Sequence, residues 1–217
     1  GEEVRNLGLE GQMQKKGTPT MGGIMFIMAV IFVVLAFGWR DMAAGDLSAL
    51  FVLGFALVCG AIGFVDDYAK IRKHENTGLT AGWKFLLQLA AAIAFLALLR
   101  WQGHLSPNLY VPFVNVYWPL PWGAYLVFAA FIIVGCVNSV NLTDGVDGLA
   151  GSVTLAVSVF FAALSQWWDK GAVGIFAGAL AGGLLGFLVY NFHPAKVFMG
   201  DTGSLFLGGA VAGMAFA

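Results

Sequence analysis

Charged side chains are scarce in this chain of 217 residues. Asp, Glu, Lys and Arg together make up 11% of it, whereas hydrophobic residues make up 59%. A soluble domain carries about 25% charged residues, so the composition excludes that class and indicates a membrane protein. The formal net charge of −1 also lacks the basic excess with which proteins bind nucleic acid, and we expect no nucleic-acid partner.

Cysteine is almost absent, and so is any secretory leader pattern. Cys59 and Cys136 both lie inside apolar runs and are predicted to be buried thiols, and no Cys or His cluster suggests a zinc site. The first twenty residues are polar and glycine-rich, without the apolar segment of a signal peptide. We therefore expect the chain to insert through its own helices.

Long apolar runs dominate the rest of the sequence. Six of them approach the roughly 20 residues that span a bilayer; they cover residues 21–38, 47–65, 83–99, 122–140, 149–168 and 171–192. A seventh run begins at Leu205 and is too short to span by Ala217. We predict an all-α, polytopic transmembrane helical bundle with six complete helices and part of a seventh. Residues 1–217 would then form one integral-membrane domain truncated at both ends.

Glycine spacing suggests where two of these helices pack closely. Small residues recur at intervals of about four in the sixth run, and such spacing allows helix backbones to approach each other. The stripe consists of Gly178, Gly182, Gly183 and Gly186.

The basic residues predict an orientation for the bundle. With a cytoplasmic N-terminus, residues 66–82, 138–148 and 193–204 share the cytoplasmic side, together with eight of the eleven Lys and Arg residues. This bias agrees with the positive-inside rule. The opposite loop, residues 100–121, alternates apolar residues between prolines and is predicted to form a short hairpin against the membrane surface, with interfacial aromatic residues.

Five carboxylates fall at or beside cytoplasmic helix ends. Charge so close to lipid is costly, about 2.5 to 3.5 kcal/mol per residue at a helix centre, and needs a compensating partner. An all-oxygen ligand set favours magnesium, Mg²⁺, which often bridges to substrate phosphates. The five residues are Asp66, Asp67, Asp144, Asp147 and Asp201.

A polar ladder closes the fourth apolar run. Asn138, Asn141, Asp144 and Asp147 each follow the previous residue by three positions. On a helix, successive oxygens would drift by only about 60° per step and would grip a cation or a phosphate from one side. The alternative is a helix C-terminus that caps and turns.

Two basic residues offer a choice between ion pairing and phosphate binding. Adjacent Asp66 and Asp67 point about 100° apart on a helix, so they should have different roles. Lys70 either pairs with Asp66 at i, i+4 or supplies a cation to phosphate. Lys15 would support the second reading, because the loop near Gly22 can also turn backbone amides toward an anion.

The third cytoplasmic segment leaves several alternatives open. Asp201, with Thr202 and Ser204 just before an apolar run, is either a helix cap or a ligand. Phe198 is either a stacking platform for a base or an interfacial residue. His193, just before a proline, is more typical of a structural hydrogen bond than of a catalyst.

Four motifs in this order resemble a known family. They read Gly-Thr-Pro-Thr-Met-Gly-Gly at 17–23, Asp-Asp-Tyr at 66–68, Asn-Ser-Val-Asn-Leu-Thr-Asp-Gly-Val-Asp-Gly-Leu-Ala at 138–150, and Pro-Ala-Lys-Val-Phe-Met-Gly-Asp-Thr-Gly-Ser-Leu at 194–205. The chain resembles the phospho-N-acetylmuramoyl-pentapeptide transferases, a branch of the polyprenyl-phosphate N-acetylhexosamine-1-phosphate transferases. The resemblance implies ten helices in the full-length protein, a homodimer in the bacterial inner membrane, and a cytoplasmic active site. It also implies transfer from UDP-MurNAc-pentapeptide to undecaprenyl phosphate, giving lipid I and UMP with Mg²⁺.

The resemblance also implies a role for each matching residue. Asp67 and Asp201 would serve magnesium and the diphosphate, and Asp66 the lipid phosphate; these three are the catalytic candidates. Phosphate would be held by Lys15 and Lys70, and the cleft would be lined by Asn138, Asn141 and Asp144. The uridine pocket would consist of Asp147, Asn191 and Phe198, with the ring of Phe198 stacked on uracil.

The sequence also departs from the family. Where the family often carries a histidine before its lysine, this chain has Gly8, Leu9 and Gln12, so that role is absent. The His-rich loop and last helices of the family would lie beyond Ala217, and its first helix before Gly1.

Two rival functions remain at this point. A UDP-GlcNAc:undecaprenyl-phosphate transferase would share the aspartates, but Thr18, Pro19, Thr20 and Met21 favour the muramoyl branch. A cation transporter would place its carboxylates near the bilayer midplane on broken helices, whereas here they gather at one interface.

Overall fold

The computed structural model describes residues 17–73 and 78–217. In these residues the chain forms eight helices and one two-stranded hairpin. In chain order these are α1 (Gly23–Phe37), α2 (Trp39–Ala43), α3 (Ser48–Lys73), α4 (Ala81–Trp101), β1 (Asn108–Val111), β2 (Val116–Pro119), α5 (Trp122–Thr143), α6 (Leu149–Trp167), α7 (Gly171–Asn191) and α8 (Gly200–Phe216).

The architecture confirms the predicted polytopic helical bundle, and the protein is an integral membrane protein. Each of the seven apolar runs coincides with a helix to within two residues at the ends that it predicted too long. The helices α3 to α7 are long and apolar enough to cross a membrane. Helix α1 has 15 residues, or about 22 Å at 1.5 Å per residue, which is shorter than the hydrocarbon core. Helix α3 extends two turns beyond the predicted end of its apolar run and carries Asp66, Asp67 and Lys70 on those turns.

Helix α8 is the centre of the bundle. It packs most extensively against α3 and α5 and also contacts α1, and 12 of its 17 residues are buried. Three of its glycines lie at these contacts: Gly203 against Gly23 of α1, Gly208 against Val137 of α5, and Gly209 against Cys59 of α3. Small residues therefore do bring the backbones together, but on α8.

The predicted glycine stripe of α7 is largely wrong as a packing face. A Cβ atom at Gly183 would lie 3.2 Å from Phe26, whereas one at Gly178, Gly182 or Gly186 would meet nothing within 4 Å. Spacing alone cannot tell a buried small-residue face from an open one, since both are apolar in a membrane helix.

The two ends of the bundle differ in chemistry, as the predicted alternation of segments between the two sides of the membrane indicated. One end gathers the C-terminal turns of α3 and α5 with the N-termini of α4 and α8, because Lys70, Lys84 and Asn141 all hydrogen-bond to Asp201. The other end carries the predicted hairpin, in which Asn108 pairs with Pro119 and Val111 with Val116 in antiparallel register.

Candidate functional site

Three carboxylates from two helices meet at the charged end of the bundle. Asp66 and Asp67 lie in the last two turns of α3, and Asp201 lies in the first turn of α8. One ligand oxygen from each lies within 4.8 Å of the others, and the first two residues are buried. The resemblance to the family implied these three as the catalytic set. The fold brings them together although Asp67 and Asp201 are 134 positions apart in the sequence.

A glycine at the crossing of α3 and α8 makes this approach possible. A Cβ atom at Gly63 would overlap the backbone carbonyl of Asp201. Gly63 lies one helical turn before Asp66 and Asp67. The close contact between α3 and α8 is therefore adjacent to the turn of α3 that carries the two carboxylates. A larger residue at this position would separate the two parts of the site.

Asp67 fastens the start of α8. Its carboxylate accepts hydrogen bonds from the backbone N–H of Asp201 at 3.1 Å, the N–H of Thr202 at 2.9 Å and the Thr202 hydroxyl at 2.7 Å. The first N–H groups of a helix have no partner within the helix, and Met199 supplies no side-chain cap. The cap therefore comes from a neighbouring helix, and Asp201 is not the capping residue that its position in the sequence allowed.

Gly200 allows this close contact. Its φ of +72° lies in the left-handed region, and a Cβ atom there would approach the Asp67 Oδ2 atom to 2.6 Å. Glycine satisfies both the backbone conformation and the lack of space.

Two lysines pair with the carboxylates. Lys70 Nζ lies 2.7 Å from Asp66 Oδ2 and 2.9 Å from Asp201 Oδ2. Lys84 Nζ lies 2.8 Å from Asp201 Oδ2 and 3.4 Å from Asp66 Oδ2. The i, i+4 ion pair considered for Lys70 is thus present, and the same ammonium also bridges two helices. Asp66 is held further by the backbone N–H of Leu79, which donates to its Oδ1 at 2.7 Å.

Lys84 is a site residue that the sequence reading missed. The available signals were its place on the charged side and its position in the first turn of the third apolar run. With all groups ionised, three carboxylates and two ammonium groups leave one net negative charge in the cluster.

Asp201 is the electrostatic centre of the site. It stands in the first turn of α8, before the apolar part of that helix. Burial raises the pKa of its carboxyl group, but hydrogen bonding with Asp66 and Lys84 and the charges of Lys84 and Lys70 outweigh burial. The pKa of Asp201 is therefore well below its usual range, and the group is a carboxylate at neutral pH.

Helix α5 contributes one amide that contacts the cluster and a second amide one turn away from it. Asn141 Nδ2 donates to Asp201 Oδ1 at 2.9 Å and to Ser204 Oγ at 2.7 Å. One turn earlier, Asn138 Nδ2 donates to Gln88 Oε1 at 2.5 Å and to the Val134 carbonyl at 2.8 Å. Gln88 is buried, and it is a second residue that the sequence reading missed, although a lone glutamine in an apolar run was a signal.

The polar ladder does not continue as a helix. Helix α5 ends at Thr143, so Asp144 and Asp147 lie in the turn that follows, and the predicted single helical face is wrong for these two residues. The alternative interpretation, a helix C-terminus that caps and turns, describes these two residues better. Asp144 has contacts of its own in this region.

Asp147 and Asn191 tie that turn to the segment after α7. Asp147 Oδ2 lies 3.1 Å from His193 Nδ1 and accepts from the Ala195 N–H at 3.1 Å. Asn191 is buried; its oxygen accepts from the Gly148 N–H at 3.1 Å, and its nitrogen donates to the Val197 carbonyl at 2.9 Å. Backbone partners therefore occupy the Asn191 amide, and His193 has the structural role that its context indicated.

The segment at 19–23 reaches the site through backbone pairing. Phe198, which is half-buried, donates its N–H to the Pro19 carbonyl at 2.9 Å, and its own carbonyl accepts from the Gly22 N–H at 2.8 Å. The Gly23 N–H donates to the Met199 carbonyl at 3.1 Å. The prediction that amides near Gly22 face an anion is therefore wrong for these two glycines. Lys15 lies outside the described residues.

Fold and site together define a polytopic membrane protein with a carboxylate and lysine centre at one end of the bundle. A family model described as glycosyl transferase family 4 matches residues 49–217, and the chain belongs to that family. A phospho-N-acetylmuramoyl-pentapeptide-transferase signature matches residues 15–27.

Curated relatives match nearly the whole chain. A protein of Clostridium acetobutylicum is 43% identical over 217 residues, which is 99% of this chain and 66% of the relative. One of Staphylococcus carnosus is 44% identical over 216 residues (98% and 66%), and one of Caldanaerobacter subterraneus is 46% identical over 220 residues (99% and 66%). Each is named phospho-N-acetylmuramoyl-pentapeptide-transferase. The chain spans just under two thirds of the length of these relatives.

Proposed function

We propose that this chain carries the active site of a phospho-N-acetylmuramoyl-pentapeptide transferase of peptidoglycan synthesis. The reaction transfers phospho-MurNAc-pentapeptide from UDP-MurNAc-pentapeptide to undecaprenyl phosphate and yields lipid I and UMP. The protein would work as a homodimer in the bacterial inner membrane, with the site facing the cytoplasm. The names of the relatives support this proposal, and the excess of basic residues at the charged end supports the orientation.

The observation that carries the proposal is the meeting of Asp66, Asp67 and Asp201 with Lys70 and Lys84. A diphosphate donor and a phosphate acceptor bring several negative charges to one point, and phosphoryl transfer depends on neutralising and aligning them. Two lysines beside three carboxylates supply both kinds of ligand, one for phosphate and one for a cation. A cation transporter needs no such paired lysines, and its carboxylates belong nearer the bilayer midplane.

The donor set fits Mg²⁺. All the ligand atoms in the cluster are oxygens, which this ion prefers, and the five charged groups leave one negative charge to balance. We assign the ion chiefly to Asp67 and Asp201. When bound, magnesium would neutralise the diphosphate charge as UMP leaves.

The residues of the chain account for the remaining steps. Lys70 and Lys84 turn from Asp201 toward the phosphates of the substrates, while Asn141 keeps Asp201 in place. Asp66, held by the Leu79 N–H, orients the lipid phosphate. An oxygen of that phosphate attacks the phosphorus attached to the sugar, and the bond from that phosphorus to the oxygen of UMP breaks. The lipid phosphate is largely ionised near neutral pH, since its second pKa is about 6, so positioning and charge neutralisation set most of the barrier.

The test is UMP release by the full-length protein in the presence of undecaprenyl phosphate. We expect release with UDP-MurNAc-pentapeptide and none with UDP-GlcNAc. Release only with UDP-GlcNAc would identify the related GlcNAc-1-phosphate transferase. Release with neither donor would reject a transferase and favour the transporter.

A further inference from the structure

The hairpin of β1 and β2 has no part in the proposed reaction. It joins the C-terminal end of α4 to the N-terminal end of α5, whereas Lys84 and Asn141 at the opposite ends of these helices bind Asp201. Helix α4 has 21 residues, so the hairpin stands about 30 Å from the carboxylates. Its composition therefore needs a separate explanation.

The hairpin exposes apolar side chains on both faces and has no charge. Residues 101–143 contain no Asp, Glu, Lys or Arg. Tyr110 and Tyr117 lie on one face with their ring centroids 5.1 Å apart, and Val116 and Trp118 lie on the other; all four are exposed. In water, such a ribbon with unpaired strand edges would promote association, and soluble proteins protect such edges with charges.

The tip of the hairpin presents an aromatic ring at a cost in backbone energy. Phe113 has a φ of +72° and a relative exposure of 105%, so its side chain gains no contact within the protein. Two hydrogen bonds organise the tip: the Asn115 N–H donates to the Val111 carbonyl at 3.1 Å, and the Tyr110 hydroxyl donates to Asn115 Oδ1 at 2.7 Å. A bulky residue in the left-handed region costs about 1 kcal/mol or more, while burial of a phenylalanine side chain returns about 1.5 to 3 kcal/mol.

We propose that residues 112–114 insert into the headgroup and acyl boundary of the bilayer leaflet at this end of the bundle, and that the hairpin is a membrane-surface anchor. The hairpin is continuous with the lipid-facing surface, because it joins α4 and α5, which are both long and apolar enough to span the membrane. Trp101 is 81% exposed beside it, and the Arg100 guanidinium lies 4.4 Å from the Trp122 ring centre. Aromatic residues and arginine of this kind mark the membrane interface.

A lipid surface fits these observations better than a protein partner does. A folded partner, or a second copy of this chain, covers one face of a ribbon, whereas Tyr117, Trp118 and Phe113 are exposed on two faces and the tip. Each face offers only a few side chains, against the roughly 800 Å² that each partner contributes to a standard interface. Lipid headgroups and chains surround all of these surfaces at once.

The proposal is tested by the accessibility of a spin label at the tip. The label is placed at Val114→Cys in a Cys136→Ala background, since Cys59 is fully buried. The protein is reconstituted in nanodiscs that hold a single copy. The control label is at Ala44→Cys, an exposed position in the α2–α3 connection at the same end of the bundle. We expect the Val114 label to collide mainly with oxygen, which concentrates in lipid, and the Ala44 label mainly with a water-soluble nickel chelate.

A second variant separates anchoring from hairpin structure. Phe113→Asn removes the aromatic ring, while asparagine tolerates the left-handed backbone. We expect it to move the Val114 label toward water, with at least a twofold rise in nickel accessibility. Nickel accessibility at Val114 equal to that at Ala44 would overturn the proposal. Shielding from both reagents would also overturn it, because a protein surface would then cover the tip, and so would an unchanged label depth in Phe113→Asn.

Discussion

Asp67 accepts two hydrogen bonds from Thr202, one from its backbone N–H at 2.9 Å and one from its hydroxyl at 2.7 Å. This contact joins the end of α3 to the beginning of α8 within the buried part of the bundle. Asp67 therefore belongs to the fold as well as to the site. Replacement of this carboxylate should therefore affect the fold as well as the reaction.

Asp67→Asn should lower stability as well as activity. An asparagine would keep one acceptor oxygen but would turn its N–H groups toward at least one of the three donors that now bond to Asp67. An unsatisfied buried donor costs about 1 to 3 kcal/mol. Thermal unfolding in detergent, followed by reaction of buried Cys59 with a thiol dye, would measure the loss in a Cys136→Ala background. Thr202→Val should cost only about 1 kcal/mol, because it removes one donor and leaves none unsatisfied. Equal stability of Asp67→Asn and the parent would show that Asp67 does not fasten α8.

Gly63→Ala should disrupt the site through packing alone. The new Cβ atom would overlap the Asp201 carbonyl, and overpacking of this kind costs about 1 to 3 kcal/mol. Because α3 and α8 must separate, turnover should fall by more than tenfold. Gly54→Ala on the same helix is the matched control, since a Cβ atom there meets nothing within 4 Å, and it should raise stability by up to about 1 kcal/mol. Similar behaviour of the two variants would contradict this account.

Most of the fold could be predicted from the sequence, because apolar runs of membrane length specify helices. The alternation of successive helices across the membrane then specifies which segments share one end of the bundle. The alternation of sides placed Asp66, Asp67 and Asp201 at the same end of the bundle, and the resemblance to the family singled them out as the catalytic set. The hairpin at 108–119 was predicted from alternation between prolines. Each of these inferences uses a local period or an alternation of sides.

The remaining features depend on how helices rotate and cross, which no local pattern encodes. Lys84 and Gln88 face the site because of the rotation of α4, and apolar neighbours on all sides gave no periodic signal. The close contacts of Gly203 and Gly208 on α8 were missed in favour of Gly178 and Gly182 on α7, since both spacings look alike. The role assignments of the site residues remain predictions.

Gln88→Met should impair turnover with little loss of stability. Gln88 Oε1 accepts from Asn138 Nδ2, while its own Nε2 atom is buried without a hydrogen-bond partner. Methionine keeps the volume and removes that unsatisfied donor, which offsets the lost hydrogen bond. The Asn138 side chain would lose one of its two restraints, so we expect kcat to fall about tenfold with the thermal midpoint nearly unchanged. A large fall in the midpoint, with normal kcat in the surviving protein, would make Gln88 a purely structural residue.

Stability should depend on pH through Asp46 at the far end of the bundle. Burial raises the pKa of this carboxyl group, but hydrogen bonds from the Ser48 hydroxyl and N–H and the charges of His104 and Lys170 outweigh burial and lower the pKa from its ordinary 3.8. A depressed folded-state pKa contributes stability above the unfolded value, and that contribution is lost as pH falls through the folded value. The thermal midpoint of the parent should exceed that of Asp46→Asn near pH 6, and the difference should shrink toward pH 3. If the difference in thermal midpoint between the parent and Asp46→Asn were the same at every pH, the charge of Asp46 would not be the source of the stability.

Lys84→Met should tighten the binding of a divalent cation and weaken the binding of phosphate. The Lys84 ammonium lies 2.8 Å from Asp201 Oδ2, an oxygen that we assign to magnesium. A divalent ion about 5 Å from this ammonium would be repelled by several kcal/mol at an effective dielectric constant of about 20, and screening reduces this repulsion. We therefore expect Mn²⁺, a paramagnetic probe for the magnesium site, to bind about tenfold more tightly in titrations followed by electron paramagnetic resonance.

The same variant should lose turnover, because the phosphate groups lose one of their two cations. Lys196→Met is the matched control, since Lys196 is exposed at the same end of the bundle and its replacement changes the net charge equally. It should alter Mn²⁺ affinity by less than about twofold, as expected for a solvent-screened charge. Tighter Mn²⁺ binding with undiminished turnover would leave Lys84 as a counter-ion that the reaction does not use. Equal Mn²⁺ affinity in Lys84→Met and Lys196→Met would mean that the cation does not bind at Asp201.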